Sequence, residues 1–254
     1  MMNPFTTGIA AIKILSSINE YNRHEKEFQA LYDAGDYASE RKLIREWQLK
    51  VIDDISRKCG FTYEIIGEEN VPDDGPIMVY SNHQGFADIF TLVKVLCPKL
   101  QAGFIAKDEW RKWGPIARAI INTRSVFLVR GGGREAIKTL KEACELMEKG
   151  YNFVIFPEGT RARGPVMGEF KPGTLKFAQR GKVPILPVSI QGSYRTFEEK
   201  NSISKAHILV KVHPLVHIEE MDKKAQDEAF AQVEKSVRDG VAELQQIEEE
   251  RKNA

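Results

Sequence analysis

The chain has 254 residues, 42% of them apolar and 29% charged, and a formal net charge of +1. That balance excludes a disordered chain and names no partner through global charge, and the length suits one folded domain or one domain with a helical appendage. Three widely spaced cysteines, Cys59, Cys97 and Cys144, form no CxxC, which argues for reduced thiols in a cytosolic compartment and against a disulfide frame or zinc finger.

Residues 1–58 read as a helical hairpin. Phe5, Ile9, Ile12 and Leu15 recur at helical spacing in a stretch charged only at Lys13, and Ile44, Trp47, Val51 and Ile55 repeat the pattern later. "DAGD", residues 33–36, marks the break between the two helices. The hairpin is expected either to pack on the main domain or to lie in a lipid headgroup region as an interfacial anchor. No segment approaches the roughly 20 apolar residues that cross a bilayer, and the first residues lack the basic region and cleavage site of a signal peptide.

From Phe61 onward, residues 59–254 read as an α/β domain. Strands are expected at 61–66, 76–81, 102–106, 125–129, 152–156, 185–190 and 207–213, which are rich in Val, Ile and Phe and bounded by Gly, Pro or Asp. Helices are expected at 87–96, 108–121, 134–149, 173–180 and 222–250. Alternation of this kind implies a largely parallel or mixed sheet covered by helices on both faces.

In such a sheet ligands sit beyond the carboxyl ends of the strands. Four polar clusters, "SNHQGFAD", "AKDEW", "VRGGGR" and "FPEGTR", follow apolar strands directly and are expected to converge on one site. In the first, His83 follows a strand and Asp88 opens a helix. A turn between them lets the carboxylate hold one ring nitrogen and leaves the other to take a proton, although Asp88 as a simple helix cap is the plainer alternative. In "FPEGTR", Gly159 allows a tight turn, Arg161 offers a fork for phosphate, and Glu158 either positions a hydroxyl or anchors the loop; a mere salt-bridged turn is the alternative. Lys107 and Arg130 add two cations at strand ends. "GGGR", residues 131–134, lacks the GK[ST] of a nucleotide P-loop.

Local charge is more telling than the total. Residues 107–182 carry 16 Lys and Arg against 8 Asp and Glu, whereas 219–252 carry 11 acids and 6 bases. The basic middle suits an anionic ligand or membrane surface, or is simply a solvated face. No metal site is expected: His213 and His217 flank Pro214, and no carboxylate or cysteine is read at ligand spacing. The basic region lacks the interleaved aromatics of a nucleic-acid platform.

Taken in order, "NHQGFAD", "VFLVR" with "FIAKDE" upstream, "FPEGTR" and "VPILPV" (residues 183–188) resemble the glycerolipid acyltransferases of the HxxxxD type, and most of all the 1-acylglycerol-3-phosphate (lysophosphatidic acid) acyltransferases. The resemblance spans roughly residues 76–190. It implies that His83, held by Asp88, deprotonates the 2-hydroxyl of 1-acylglycerol-3-phosphate, which attacks an acyl thioester of coenzyme A or acyl carrier protein without an acyl-enzyme. It also implies an acceptor phosphate on Arg130 and Arg161, with Lys107 a third candidate, in a pocket shaped by Glu158, Gly159 and Thr160. No metal or cofactor beyond the thioester co-substrate is implied, and no nucleic-acid partner. A monotopic place on the cytoplasmic face of a membrane follows from the lipid acceptor, and favours the anchor reading of residues 1–58. Other acceptors such as glycerol-3-phosphate, a lipid or phosphate-ester hydrolase in which His83 activates water, and a catalytically silent lipid-binding protein stay open. The chain departs from the family pattern at Gly85 and Ala162, where serine is common, and at Val129, where aspartate is common.

Overall fold

The structure, a computed structural model, describes residues 4–129 and 133–253. Three helices come first: α1 Pro4–Asn22, α2 Glu25–Asp33 and α3 Tyr37–Cys59. Then follow β1 Phe61–Ile66, β2 Met78–Ser81, α4 Ala87–Leu96, β3 Gly103–Lys107, α5 Gly114–Asn122, β4 Val126–Leu128, α6 Arg134–Glu148, β5 Phe153–Ile155, α7 Lys176–Gly181, β6 Ile185–Gln191, β7 Ala206–Val212 and α8 Lys223–Asn253.

The seven strands form one sheet in the order β1-β7-β6-β2-β5-β3-β4. Every pairing is parallel except β6 with β7, so β1 and β7 run against the other five. The expected mixed, largely parallel sheet is thus present. Its central strands are nearly continuous apolar runs because helices cover both faces. Met78, Val79, Tyr80, Phe153, Val154, Ile185 and Leu186 are all essentially inaccessible to solvent.

Two expected helices are each divided. Residues 108–121 form a 3₁₀ turn over 108–112 and then α5, which begins at Gly114-Pro115, where proline's missing N–H costs nothing. Residues 172–175 form a second 3₁₀ turn before α7. The N-terminal region also holds one more break than a hairpin has. Besides the turn before α3, where Asp36 Oδ1 accepts from Ser39 N–H at 3.1 Å, the chain bends between Asn22 and Glu25. That bend is stabilised from a distance: Asn22 donates to the Pro115 carbonyl (2.9 Å), and Tyr21 Oη donates to the Asn122 carbonyl (3.1 Å).

Tyr21, Phe28, Ile44, Ile52 and Ile55 lie in the same hydrophobic cluster as the sheet. Buried polar bonds join these helices to it. Gln48 meets both the N–H and the carbonyl of Ala102, and Glu40, wholly buried, takes Arg124 Nε (2.8 Å) and the Tyr151 hydroxyl. One side of α1 stays bare: Ile9 is 52% and Ile12 68% exposed, and Trp113 and Ile121, on or next to α5, are exposed as well. The side chain of Phe5 lies outside those described.

Candidate active site

β2 is the point at which the sheet's connections diverge. The chain leaves β2 for β3, beyond its neighbour β5 on one side, whereas β6, its neighbour on the other side, leads to β7. The crevice above the carboxyl ends of β2 and β6 is the switch point where α/β sheets bind ligands. The register pairs Ser81 with Val188, so the turn after Ser81 and the turn after Gln191 open at the same edge.

His83 and Asp88 meet there. His83 Nδ1 lies 2.7 Å from Asp88 Oδ2, with the histidine side chain 14% exposed and the aspartate fully buried. A carboxylate accepts only, so Nδ1 carries the proton and the Nε2 lone pair is left to act as a base. The ring stacks on Phe156 with centroids 3.9 Å apart and planes 12° off parallel. Asp88 is itself fixed: Oδ2 also accepts the Gly85 N–H (2.8 Å), and Oδ1 accepts the Ser193 hydroxyl.

The "FPEGTR" loop after β5 docks on the same turn. Glu158 is buried and accepts the His83 N–H through Oε1 (2.6 Å) and the Gly168 N–H through Oε2 (2.8 Å), the loop-anchoring role allowed for above. Burial pushes its carboxyl above the ordinary range, while those two N–H groups and His83 pull it back. Ala162 and Arg163 donate backbone N–H to the carbonyls of His83 and Gln84 at 2.7 and 3.0 Å. Gly159 takes φ +69° and closes the turn onto the Phe156 carbonyl (3.0 Å), and any Cβ there would press on Lys171 Nζ at 2.7 Å. Thr160 is exposed at the rim.

Arg161 lies flat over Phe86, with Cζ 3.6 Å from the ring centroid, and its Nη1 donates to Glu198 Oε1 (3.0 Å). Lys107 ends β3 half-buried, and the turn after it brings Trp110 edge-on to Phe86 at 5.9 Å. The structure therefore gathers His83, Asp88, Glu158 and Arg161 around one turn, with the Lys107 loop against it. Arg130 lies outside the described residues.

Sequence reasoning missed Ser193, Glu198, Phe86 and Phe156. The first two carried a readable signal. "GSYRTFEE" is a fifth polar run directly after an apolar strand, so the rule that selected the other four clusters selects it too. The expectation of no carboxylate at ligand spacing near the C-terminal histidines needs correcting: ligand atoms of His217, Glu219 and Glu220 lie within 4.8 Å of one another. His213 is elsewhere, buried against Ser189.

A helix-covered α/β sheet with a carboxylate-held histidine at its switch point is an arrangement able to take a proton from a bound hydroxyl or water. A family model described as acyltransferase matches residues 62–191. The chain belongs to that acyltransferase family. It is 34% identical to a probable 1-acyl-sn-glycerol-3-phosphate acyltransferase of Mycoplasma pneumoniae, over 59% of this chain and 56% of that one. It is 30% identical to the mouse 1-acyl-sn-glycerol-3-phosphate acyltransferase alpha, over 63% of this chain and 56% of that one. The chain spans about half the length of the curated relatives it matches. The crystal structure of the 1-acyl-sn-glycerophosphate (LPA) acyltransferase of Thermotoga maritima superposes with a TM-score of 0.68 at 27% identity, covering 89% of this chain and 95% of that one.

Proposed function

We propose that the protein transfers an acyl chain from a thioester of coenzyme A or acyl carrier protein to the 2-hydroxyl of 1-acylglycerol-3-phosphate, giving phosphatidic acid. The observation that carries this reading is the His83–Asp88 pair at the switch point, with Arg161 held beside it on Phe86. His83 Nε2 takes the hydroxyl proton as the oxygen attacks the thioester carbon. Asp88 stabilises the imidazolium, the C–S bond breaks, and His83 returns the proton to the departing thiolate. Arg161 and Lys107 bind the acceptor phosphate, and Arg130 has the same assignment from the family resemblance. Glu158 and Gly159 hold the loop that presents Arg161, with Thr160 at its rim. Both substrates occupy the site together, so initial-rate lines intersect rather than run parallel.

The lipid acceptor places the enzyme at a membrane interface. Among the described residues no helix is long and apolar enough to cross a membrane. The bare faces of α1 and α5 supply an apolar surface for lying on the interface, on its cytoplasmic side, with the basic middle of the chain facing anionic headgroups.

The test is purified protein in lipid vesicles with lysophosphatidic acid and both acyl thioesters, assayed for phosphatidic acid. His83→Ala is expected to lower turnover by roughly 10²–10⁴ with the fold intact by circular dichroism. Product from glycerol-3-phosphate alone would reassign the acceptor. Release of free fatty acid or phosphate without acyl transfer would make the protein a hydrolase.

A further inference from the structure

Glu198 has a side chain only 3% exposed, yet just one of its oxygens is used. Oε1 accepts from Arg161 Nη1 (3.0 Å) and from the Phe86 backbone N–H (3.0 Å). Oε2 is buried with no hydrogen-bond partner among the described residues. A carboxylate normally reaches such a position only if both oxygens are met, so its placement needs a reason. The reason lies in residue 85. A Cβ built on Gly85 would overlap Glu198 Oε2, with Glu198 Cδ only 2.8 Å away. The carboxylate therefore fills the space that any side chain at position 85 would occupy. Gly85 takes no positive φ, so what a side chain there would meet is the Glu198 carboxylate, which would have to leave its place on Arg161, and not a backbone restriction. Its own N–H is meanwhile committed to Asp88 Oδ2.

We infer that Glu198 is a positioning residue for acceptor binding: its carboxylate docks Arg161 flat on Phe86 beside the His83 turn, and Gly85 is glycine to make room for it. This rests on Arg161 being an acceptor-phosphate ligand as proposed above. Without Glu198 the guanidinium loses its only charged partner among the described contacts and must find the phosphate from many rotamers. A side chain added at residue 85 pushes in two directions. It displaces Glu198, and it shifts the Gly85 N–H that holds Asp88.

The two residues can be separated kinetically and by melting. Glu198→Ala is expected to raise the KM for lysophosphatidic acid about tenfold while kcat changes less than about threefold; Glu198→Gln, which keeps the acceptor oxygen and the shape but not the charge, raises KM by less than Glu198→Ala and leaves kcat near the unmodified value. Gly85→Ser lowers kcat and the melting temperature. Introduced together with Glu198→Ala, it regains most of the lost kcat and part of the lost melting temperature, and keeps the raised KM. The inference is overturned if Glu198→Ala leaves the acceptor KM unchanged, or if Gly85→Ser is equally damaging to kcat and melting with and without Glu198→Ala. Unmodified protein that forms no phosphatidic acid would instead count against the function proposed. The melting cycle, which needs no substrate, would still decide whether residues 85 and 198 contend for one space.

Discussion

At the scale of single residues, the site turns on how Asp88 is held. Its two oxygens accept three donors, the His83 ring, the Gly85 N–H and the Ser193 hydroxyl, in a position closed to water. A buried carboxylate with that many donors keeps its geometry as the charge on His83 changes. Asp88→Asn keeps an oxygen for the His83 and Gly85 N–H groups only by turning its NH₂ to the Ser193 hydroxyl, and it loses the negative charge that stabilises the imidazolium, so kcat falls by about 10²–10⁴. Ser193→Ala removes one donor and leaves Oδ1 unmet, which costs about 1–3 kcal/mol of stability and a smaller, roughly tenfold, loss of kcat. Steady-state rates and denaturant midpoints on the two variants check both; a Ser193→Ala protein as stable and as fast as the unmodified one would remove that tether. His83 and Asp88 were legible in the sequence because five residues and one turn join them. Ser193 and Glu198 reach the same turn from more than a hundred residues away, and nothing local marks which polar residue of a loop will face inward.

At the scale of elements, periodicity found every strand within one or two residues, because each is an apolar run between breakers. The breaks inside helices were harder. Gly114-Pro115 was a readable stop, but the bend after Asn22 has no glycine or proline and is stabilised by Pro115 and Asn122, invisible to any local pattern. The long α8 shows what holds it on the sheet. The Ser189 hydroxyl donates to the Val237 carbonyl (2.8 Å) and so accepts from His213 Nε2–H (2.8 Å), while Gly240 brings the helix backbone against that pair. A Cβ at 240 would stand 2.6 Å from His213 Nε2 and closer still to Ser189 Oγ. Gly240→Ala gains about 1 kcal/mol of helix propensity and loses more to overpacking, for a net destabilisation of about 1–2 kcal/mol by denaturant titration. Burial pushes the His213 imidazole down to about 4, with Lys211 adding to the effect and Glu243 and Asp239 opposing it. Unfolding therefore takes up a proton between the ordinary histidine value near 6.5 and that lowered value. The contribution is complete above about pH 6.5 and is lost as pH falls toward 4, on the order of 3 kcal/mol. His213→Gln should flatten this part of the acid limb, measured as melting temperature against pH; an unchanged limb would assign it to the carboxylates.

At the scale of the whole molecule, the sheet buries one large core while the bare side of α1 stays open. The sequence showed that apolar stripe, but it could not show which of its residues α3 and α5 would cover. Ile9 and Ile12 remain outside, and Ile12→Glu combined with Ile9→Glu is expected to reduce vesicle sedimentation several-fold with little change in melting temperature. Equal sedimentation would move the docking surface elsewhere. At the opposite end of the chain, Glu248 of α8 takes the Gln191 amide (3.1 Å) and both terminal nitrogens of Arg195, one at 2.8 Å. These residues bracket Ser193, so the turn that steadies Asp88 is clasped by a residue far downstream of it. Synthesis runs in the other direction. The histidine and its aspartate leave the ribosome early, but Asp88 Oδ1 waits for β6, and the turn that serves it waits for α8. A partly made chain thus carries His83 and Asp88 without their fastening, which is complete only once residue 248 has been made and α8 has closed over the sheet.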